Sequence, residues 1–175
     1  MTDVNVVNTD ITQVRADALI TAINPLGSWH GGLDRAIRSV SGGMFHDQAK
    51  AAMPLTDGQV VYAPELEPHE GKFAAVLFVV DGLKKPLYEI VTTALNDAAQ
   101  RRLQIVSIPV IRTGFMVGRF EQKSQALGEL ARAINDFVKK GPAVGVINVV
   151  VYGSEADRMT LFRACATRSK LPQHH

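Results

Sequence analysis

Apolar positions follow two alternating kinds of pattern along the chain. Short continuous runs cover Val4 to Val7, Ala18 to Ile23, Gly58 to Ala63, Ala74 to Val80, Ile105 to Pro109 and Val144 to Val151. Runs of this length, rich in β-branched residues, predict strands, and their unbroken character suits strands buried on both faces. Between them the period becomes helical. Leu33, Ala36, Ile37 and Val40 stand at i, i+3, i+4 and i+7. Leu87, Ile90, Val91, Ala94, Leu95 and Ala98 repeat that spacing after Pro86, a residue suited to a first helical turn. Leu127, Leu130, Ala131, Ile134, Phe137 and Val138 form a third stripe, stopped by Gly141-Pro142. Ser154, with Asp157 three residues on, predicts the capped start of a last helix carrying Met159 and Phe162.

Strands alternating with helices predict an α/β fold, with a mixed, mostly parallel sheet covered by helices on both faces. The polar stretch from Pro64 to Gly71 reads as a surface loop between strands, so residues 1–175 are expected to form a single domain. In such sheets ligands bind beyond the carboxyl ends of the strands. That rule directs attention to the loops after Ile23 and after Pro109.

The first of these runs Asn24-Pro25-Leu26-Gly27-Ser28-Trp29-His30-Gly31-Gly32-Leu33-Asp34, from a strand into a helix. Glycines at a helix start let the backbone approach a ligand, and the free N–H groups and dipole there favour an anion. A plain glycine-rich turn would look the same. The second is Arg112-Thr113-Gly114-Phe115-Met116-Val117-Gly118. Gly114 and Gly118 can present N–H groups to phosphate, Thr113 offers a hydroxyl, and Phe115 can cover a sugar or base or else belong to the core. Two such loops at the ends of two strands point to a diphosphate more strongly than either alone.

Composition narrows the choice. The 175 residues are 46% hydrophobic and 21% charged, a globular balance. A formal net charge of +2 gives no basis for a nucleic-acid partner. The chain shows no apolar run of membrane-spanning length and no secretory pattern at Met1 to Asn5, so a cytoplasmic location is expected. A lone cysteine, Cys165, fits a reducing compartment and reads as a packed residue on a helical stripe. No phosphate-binding P-loop, dinucleotide fingerprint or nucleophile elbow is present. The five histidines show no metal-ligand spacing, and His30, His46 and His69 read as ordinary polar residues. Neither a metal nor another cofactor is implied, and with no oligomer signature a monomer is expected.

Asn8-Thr9-Asp10-Ile11-Thr12, followed by Ala16-Asp17-Ala18-Leu19-Ile20-Thr21-Ala22-Ile23-Asn24, resembles the opening of the macrodomain family, Gly-Asp-Ile-Thr and then Asp-Ala-Ile-Val-Asn-Ala-Ala-Asn. Gly31-Gly32-Leu33-Asp34-Arg35-Ala36-Ile37 keeps the length of the next loop. Ser107-Ile108-Pro109 with Thr113-Gly114 resembles the second loop, and Val149-Val150-Val151-Tyr152 the last strand. Together these span about residues 4 to 165 in the family's order.

The resemblance implies a three-layer α/β/α sandwich. It implies ADP-ribose, or an ADP-ribosylated protein, as the partner. It assigns Asp10 to the adenine amino group, Ile11 and Tyr152 to the base, and Asn24 to the distal ribose. Asp34 matches the catalytic aspartate of the MacroD-type hydrolase branch. Gly31, Gly32 and Leu33, with Arg112, Thr113, Gly114, Phe115, Met116, Val117 and Gly118, would line the diphosphate and distal ribose.

Each assignment has a structural counterpart. Asp10 is also a helix cap, Tyr152 a strand-end aromatic, and Asp34 a partner for a helix dipole. The chain also departs from the family pattern. Thr21 stands in place of an asparagine, Trp29-His30 in place of two glycines, and Arg112 in place of a small residue. Gly114 to Gly118 is one residue longer than usual. In Arg112 the guanidinium is expected either on a phosphate or in solvent. Two functions follow from the resemblance: hydrolysis of mono-ADP-ribosyl esters or of O-acetyl-ADP-ribose, or binding of ADP-ribose, poly-ADP-ribose or a related nucleotide without chemistry.

Overall fold

The computed structural model describes residues 2–27, 31–112, 123–141 and 144–165. Six strands form one sheet: β1 (Asp3–Asn8), β2 (Ala18–Ile23), β3 (Val60–Pro64), β4 (Ala75–Val80), β5 (Ile105–Pro109) and β6 (Val146–Val151). Their order across the sheet is β1-β6-β5-β2-β4-β3. Five are mutually parallel, and only the edge strand β3 runs antiparallel, against β4. Each expected strand is present: β2 and β5 have the expected ends, and the ends of the others move by no more than two residues. The stretch from Pro64 to Gly71 is the connection of the β3–β4 pair.

The unbroken apolar runs are explained by two cores, one on each face. In β4 every residue is buried. Ala75, Leu77 and Val79 point to one face, and Val76, Phe78 and Val80 to the other, as the period of a strand requires. The first core is completed by α3 (Leu87–Gln100), α4 (Lys123–Lys139) and α5 (Glu155–Ala164). The second is completed by a 3-10 turn at Ile11–Gln13, α1 (Gly32–Ser41) and α2 (Met44–Ala51). The result is a three-layer α/β/α sandwich around a mixed, mostly parallel sheet. Ser154 caps α5 as expected, accepting from the Asp157 N–H at 3.2 Å. Helix α2 was not anticipated from the periodicity. No helix among the described residues is long and apolar enough to cross a membrane.

The sheet has one internal break in its pairing. Strands β2 and β5 pair only at Ala18 with Val106 and at Leu19 with Ser107, although β2 runs on to Ile23 and β5 to Pro109. Beyond that point the chain leaves β2 toward α1 on one face and leaves β5 toward α4 on the other. Neighbouring strands whose connections depart to opposite faces form a topological switch point, where α/β sheets open a crevice for ligand. The Ser107 hydroxyl, fully buried, has no hydrogen-bond partner among the described residues at this parting.

Candidate functional site at the carboxyl rim of the sheet

Parallel strands end on the same rim, so the segments after β1, β2, β4, β5 and β6 are brought together there. Asp10 and Tyr152 follow the neighbours β1 and β6, and Asn24 and Asp34 follow β2. Three strand spacings separate β1 from β2, about 14 Å. A ligand touching both ends of this rim must be elongated.

At the β1 end, Asp10 caps the 3-10 turn. Its Oδ1 accepts from the Thr12 N–H at 3.0 Å and from the Thr12 hydroxyl at 2.8 Å. The capping role is therefore real, and both bonds fall on one carboxylate oxygen. Ile11 is only 7% exposed and packs in the second core, which leaves little of it for a base. Tyr152 is 83% exposed directly after β6. The bend beneath it is fixed by Asn8, whose side-chain oxygen accepts from the Gly153 N–H at 2.9 Å.

At the β2 end, Asn24 is half-buried and opens a turn closed by the Gly27 N–H on its carbonyl at 3.1 Å. Gly27 sits at φ 70°, a conformation that favours glycine. Gly31 is the N-cap of α1 and Gly32 its first residue, both exposed. Among the described residues, a Cβ placed on Gly32 would meet nothing within 4 Å. Packing against those residues does not demand this glycine. Leu33 is half-buried against the second core.

Asp34 lies in the first turn of α1, as its spacing from the glycines requires. Its Oδ1 is 3.0 Å from Nε2 of His46, whose side chain is fully buried while that of Asp34 is 13% exposed. A carboxylate only accepts, so the imidazole nitrogen is the donor. The other oxygen, Oδ2, lies 3.7 Å from where a Cβ on Gly31 would stand. By sequence alone His46 is an ordinary polar residue. It lies twelve positions from Asp34 on a helix the periodicity did not reveal, and no local pattern signals the contact.

Arg112 does not face solvent, the second of its two expected placements. Its guanidinium lies against Asp81, directly after β4. Nε donates to Oδ2 and Nη2 to Oδ1, each at 2.8 Å, and Nη2 also donates to the Lys85 carbonyl at 2.7 Å. The two side chains are only 7% and 6% exposed. The Asp81 N–H donates to the Ile23 carbonyl at 2.8 Å, so the ends of β2, β4 and β5 are laced together. Sequence reading overlooked Asp81, yet a signal existed: a single carboxylate ends the wholly apolar run of β4. Thr113, Gly114, Phe115, Met116, Val117 and Gly118, together with Trp29 and His30, lie outside the described residues. Cys165 is packed in the first core, and burial pushes its thiol up to about 11, which keeps it out of nucleophilic chemistry at neutral pH.

No family model matches the chain. Two curated relatives do: an uncharacterized protein of Thermotoga maritima, 25% identical over 91% of this chain, and one of Pyrobaculum aerophilum, 28% identical over 84% of it. The chain spans 28% of the length of the first and 82% of the second. Solved structures align far more completely than sequence identity would suggest. A Trypanosoma brucei macrodomain in complex with ADP-ribose superposes with a TM-score of 0.76, at 16% identity, over 91% of this chain and 68% of that one. A mutant of the Oceanobacillus iheyensis macrodomain gives 0.74, at 19% identity, over 91% and 88%. The fold is that of a macrodomain. Within that fold the ends of β2 and β5, the cap at Asp10, the glycines opening α1 and the exposed Tyr152 all stand at the carboxyl edge of the sheet.

Proposed function

We propose that this macrodomain fold binds ADP-ribose along the carboxyl rim and hydrolyses the bond joining its distal ribose to an acyl group, as in a mono-ADP-ribosyl ester on protein or in O-acetyl-ADP-ribose. The observation that carries the reading is Asp34, a partly exposed carboxylate held at the first turn of α1 beside two exposed glycines, on the segment that follows β2 at the switch point. Adenine would lie toward β1 and β6, with Asp10 accepting from its amino group and Tyr152 flanking the ring. The diphosphate would run over the N-terminus of α1, where N–H groups and the helix dipole favour an anion. Asn24 would fix the distal ribose. For an ester at C1″, Asp34 would take a proton from a water attacking C1″ while the C1″–oxygen bond breaks and the acyl group leaves as a carboxylate. For an acetyl on another ribose hydroxyl, the water would attack the acyl carbonyl, the acyl–oxygen bond would break, and the freed sugar oxygen would take up the proton that Asp34 had removed. Arg112, paired with Asp81, would hold the ends of the β4 and β5 segments rather than contact phosphate.

Calorimetric titration with ADP-ribose tests binding, and saturation near one equivalent is the expected result. Turnover of a mono-ADP-ribosylated protein by wild type and Asp34→Ala tests the chemistry. The variant should lose about 10²–10⁴-fold in kcat, the range for a removed acid–base group, while still binding ADP-ribose. Equal turnover by both proteins would remove Asp34 from the mechanism. A binding module without chemistry is the second reading. It is favoured by Thr21, which stands where the resembling family carries an asparagine and is only 3% exposed, so that it offers a ribose almost nothing. Tight binding with no release from any modified protein would select it.

A further inference from the structure

We propose that His46 is a positioning residue for Asp34, clamping one carboxylate oxygen so that the other is presented at the glycine-lined helix start. The proposal rests on the hydrolase reading above and adds to it a residue that no sequence pattern marks.

The geometry is built from two short helices. Gly42-Gly43 alone separates α1 from α2, and Gly42 adopts φ 63° while its N–H closes α1 on the Arg38 carbonyl at 2.8 Å. So abrupt a corner folds the first turn of α2 back toward the first turn of α1. Helix α2 is anchored by Phe45 and Ala49, both fully buried in the second core. His46 stands between them in sequence, fully buried, with its ring edge-on to Phe78 of β4 at 5.3 Å. Its imidazole is therefore fixed from the sheet side and can turn little.

The pair is asymmetric. A purely structural clip would serve equally well with both groups buried or both exposed. Here the donor is sealed in the core and the acceptor reaches the surface, the arrangement by which a buried group orients one that meets a ligand. With Oδ1 fixed by Nε2 at 3.0 Å, the carboxylate plane is set, and Oδ2 is the oxygen beside Gly31. Freed of the clamp, a short side chain at a helix start has rotamers that turn it back to its own backbone N–H groups, and its oxygens would leave the reacting position.

The test uses His46→Leu, which removes the donor at similar bulk, and His46→Gln, whose amide N–H can reach a similar position. Loss of orientation should lower kcat of His46→Leu about 10–100-fold with KM and ADP-ribose affinity near wild type, because the ground-state contacts lie elsewhere. His46→Gln should recover most of the loss. A role in folding alone would instead lower the amount of active protein, with no split between kcat and KM and no rescue. In parallel, the ring nitrogens of His46 are followed by long-range 15N–1H correlation in wild type and Asp34→Asn. The wild-type ring should show protonated Nε2, and its shifts should move in the variant. Wild-type kcat in His46→Leu, or ring shifts indifferent to Asp34→Asn, would overturn the proposal. Absence of any turnover by the wild type would overturn the hydrolase reading alone, and the ring spectrum would still decide whether His46 holds Asp34.

Discussion

At the scale of single residues, a guanidinium buried beside a carboxylate is retained less for the attraction it supplies than for the unpaired charge its loss would leave. Arg112 is in that position. It adopts φ 67°, unusual for a side chain larger than glycine's, and the two bonds to Asp81 together with the one to the Lys85 carbonyl hold it there. Arg112→Ala should therefore cost about 3–5 kcal/mol in urea unfolding, the usual result of stranding a buried partner. The double variant Arg112→Leu with Asp81→Leu should lose much less than the sum of the two single changes. A phosphate-binding arginine would behave otherwise, lowering ligand affinity while leaving the urea midpoint in place. The sequence places Arg112 correctly at the end of β5 but says nothing of its partner, since Asp81 is 31 residues away and the pairing depends on how β2, β4 and β5 are ordered. The same limit applies to His46 and Asp34. Asp10 and Ser154, by contrast, were legible as caps because a cap bonds within three residues of itself.

At the scale of elements, legibility followed the length of the periodic signal. Helices α3 and α4 carry six buried or partly buried positions or more at the expected spacing, and both formed. Helix α2 has only Phe45, His46 and Ala49 buried in eight residues, after two glycines, a pattern too short to separate from a loop. Helix α1 gives the sharpest test of the proposed site, because its first residue is a glycine that packing against the described residues does not require. Gly32→Ala adds a methyl that meets none of those residues, and alanine is the better helix former by about 0.5–1 kcal/mol. Thermal stability should be unchanged or slightly raised. ADP-ribose affinity should fall at least about tenfold, since the methyl would intrude on an anion lying against the helix N–H groups. Undiminished affinity would place the diphosphate away from α1.

At the scale of the whole molecule, alternation of strands and helices sufficed to predict a mostly parallel sheet, but not its order. The order β1-β6-β5-β2-β4-β3 arises from which face each connection takes, and that depends on packing between segments far apart in the chain. That order underlies the proposed site, because it sets β2 beside β5 at the switch point, with β6 about 10 Å and β1 about 14 Å from β2. A ligand reaching both ends ties together segments that otherwise meet only through the sheet. AMP carries adenine and one phosphate and can engage only the β1–β6 end. Ribose 5-phosphate can engage only the β2 end. ADP-ribose at 100 times its dissociation constant should stabilise the fold by about 2.7 kcal/mol. For a chain of this size that corresponds to a rise in Tm of about 5–11 °C. AMP and ribose 5-phosphate at the same concentration, singly or mixed, should give much smaller rises, because two separate molecules lack the effective concentration that a covalent link provides. If AMP alone reproduced the full shift, only the adenine end of the rim would be a binding site, and Asn24 and Asp34 would have no ligand to act upon. If ADP-ribose alone produced it, the whole rim, from Asp10 to Asp34, would be engaged as one site.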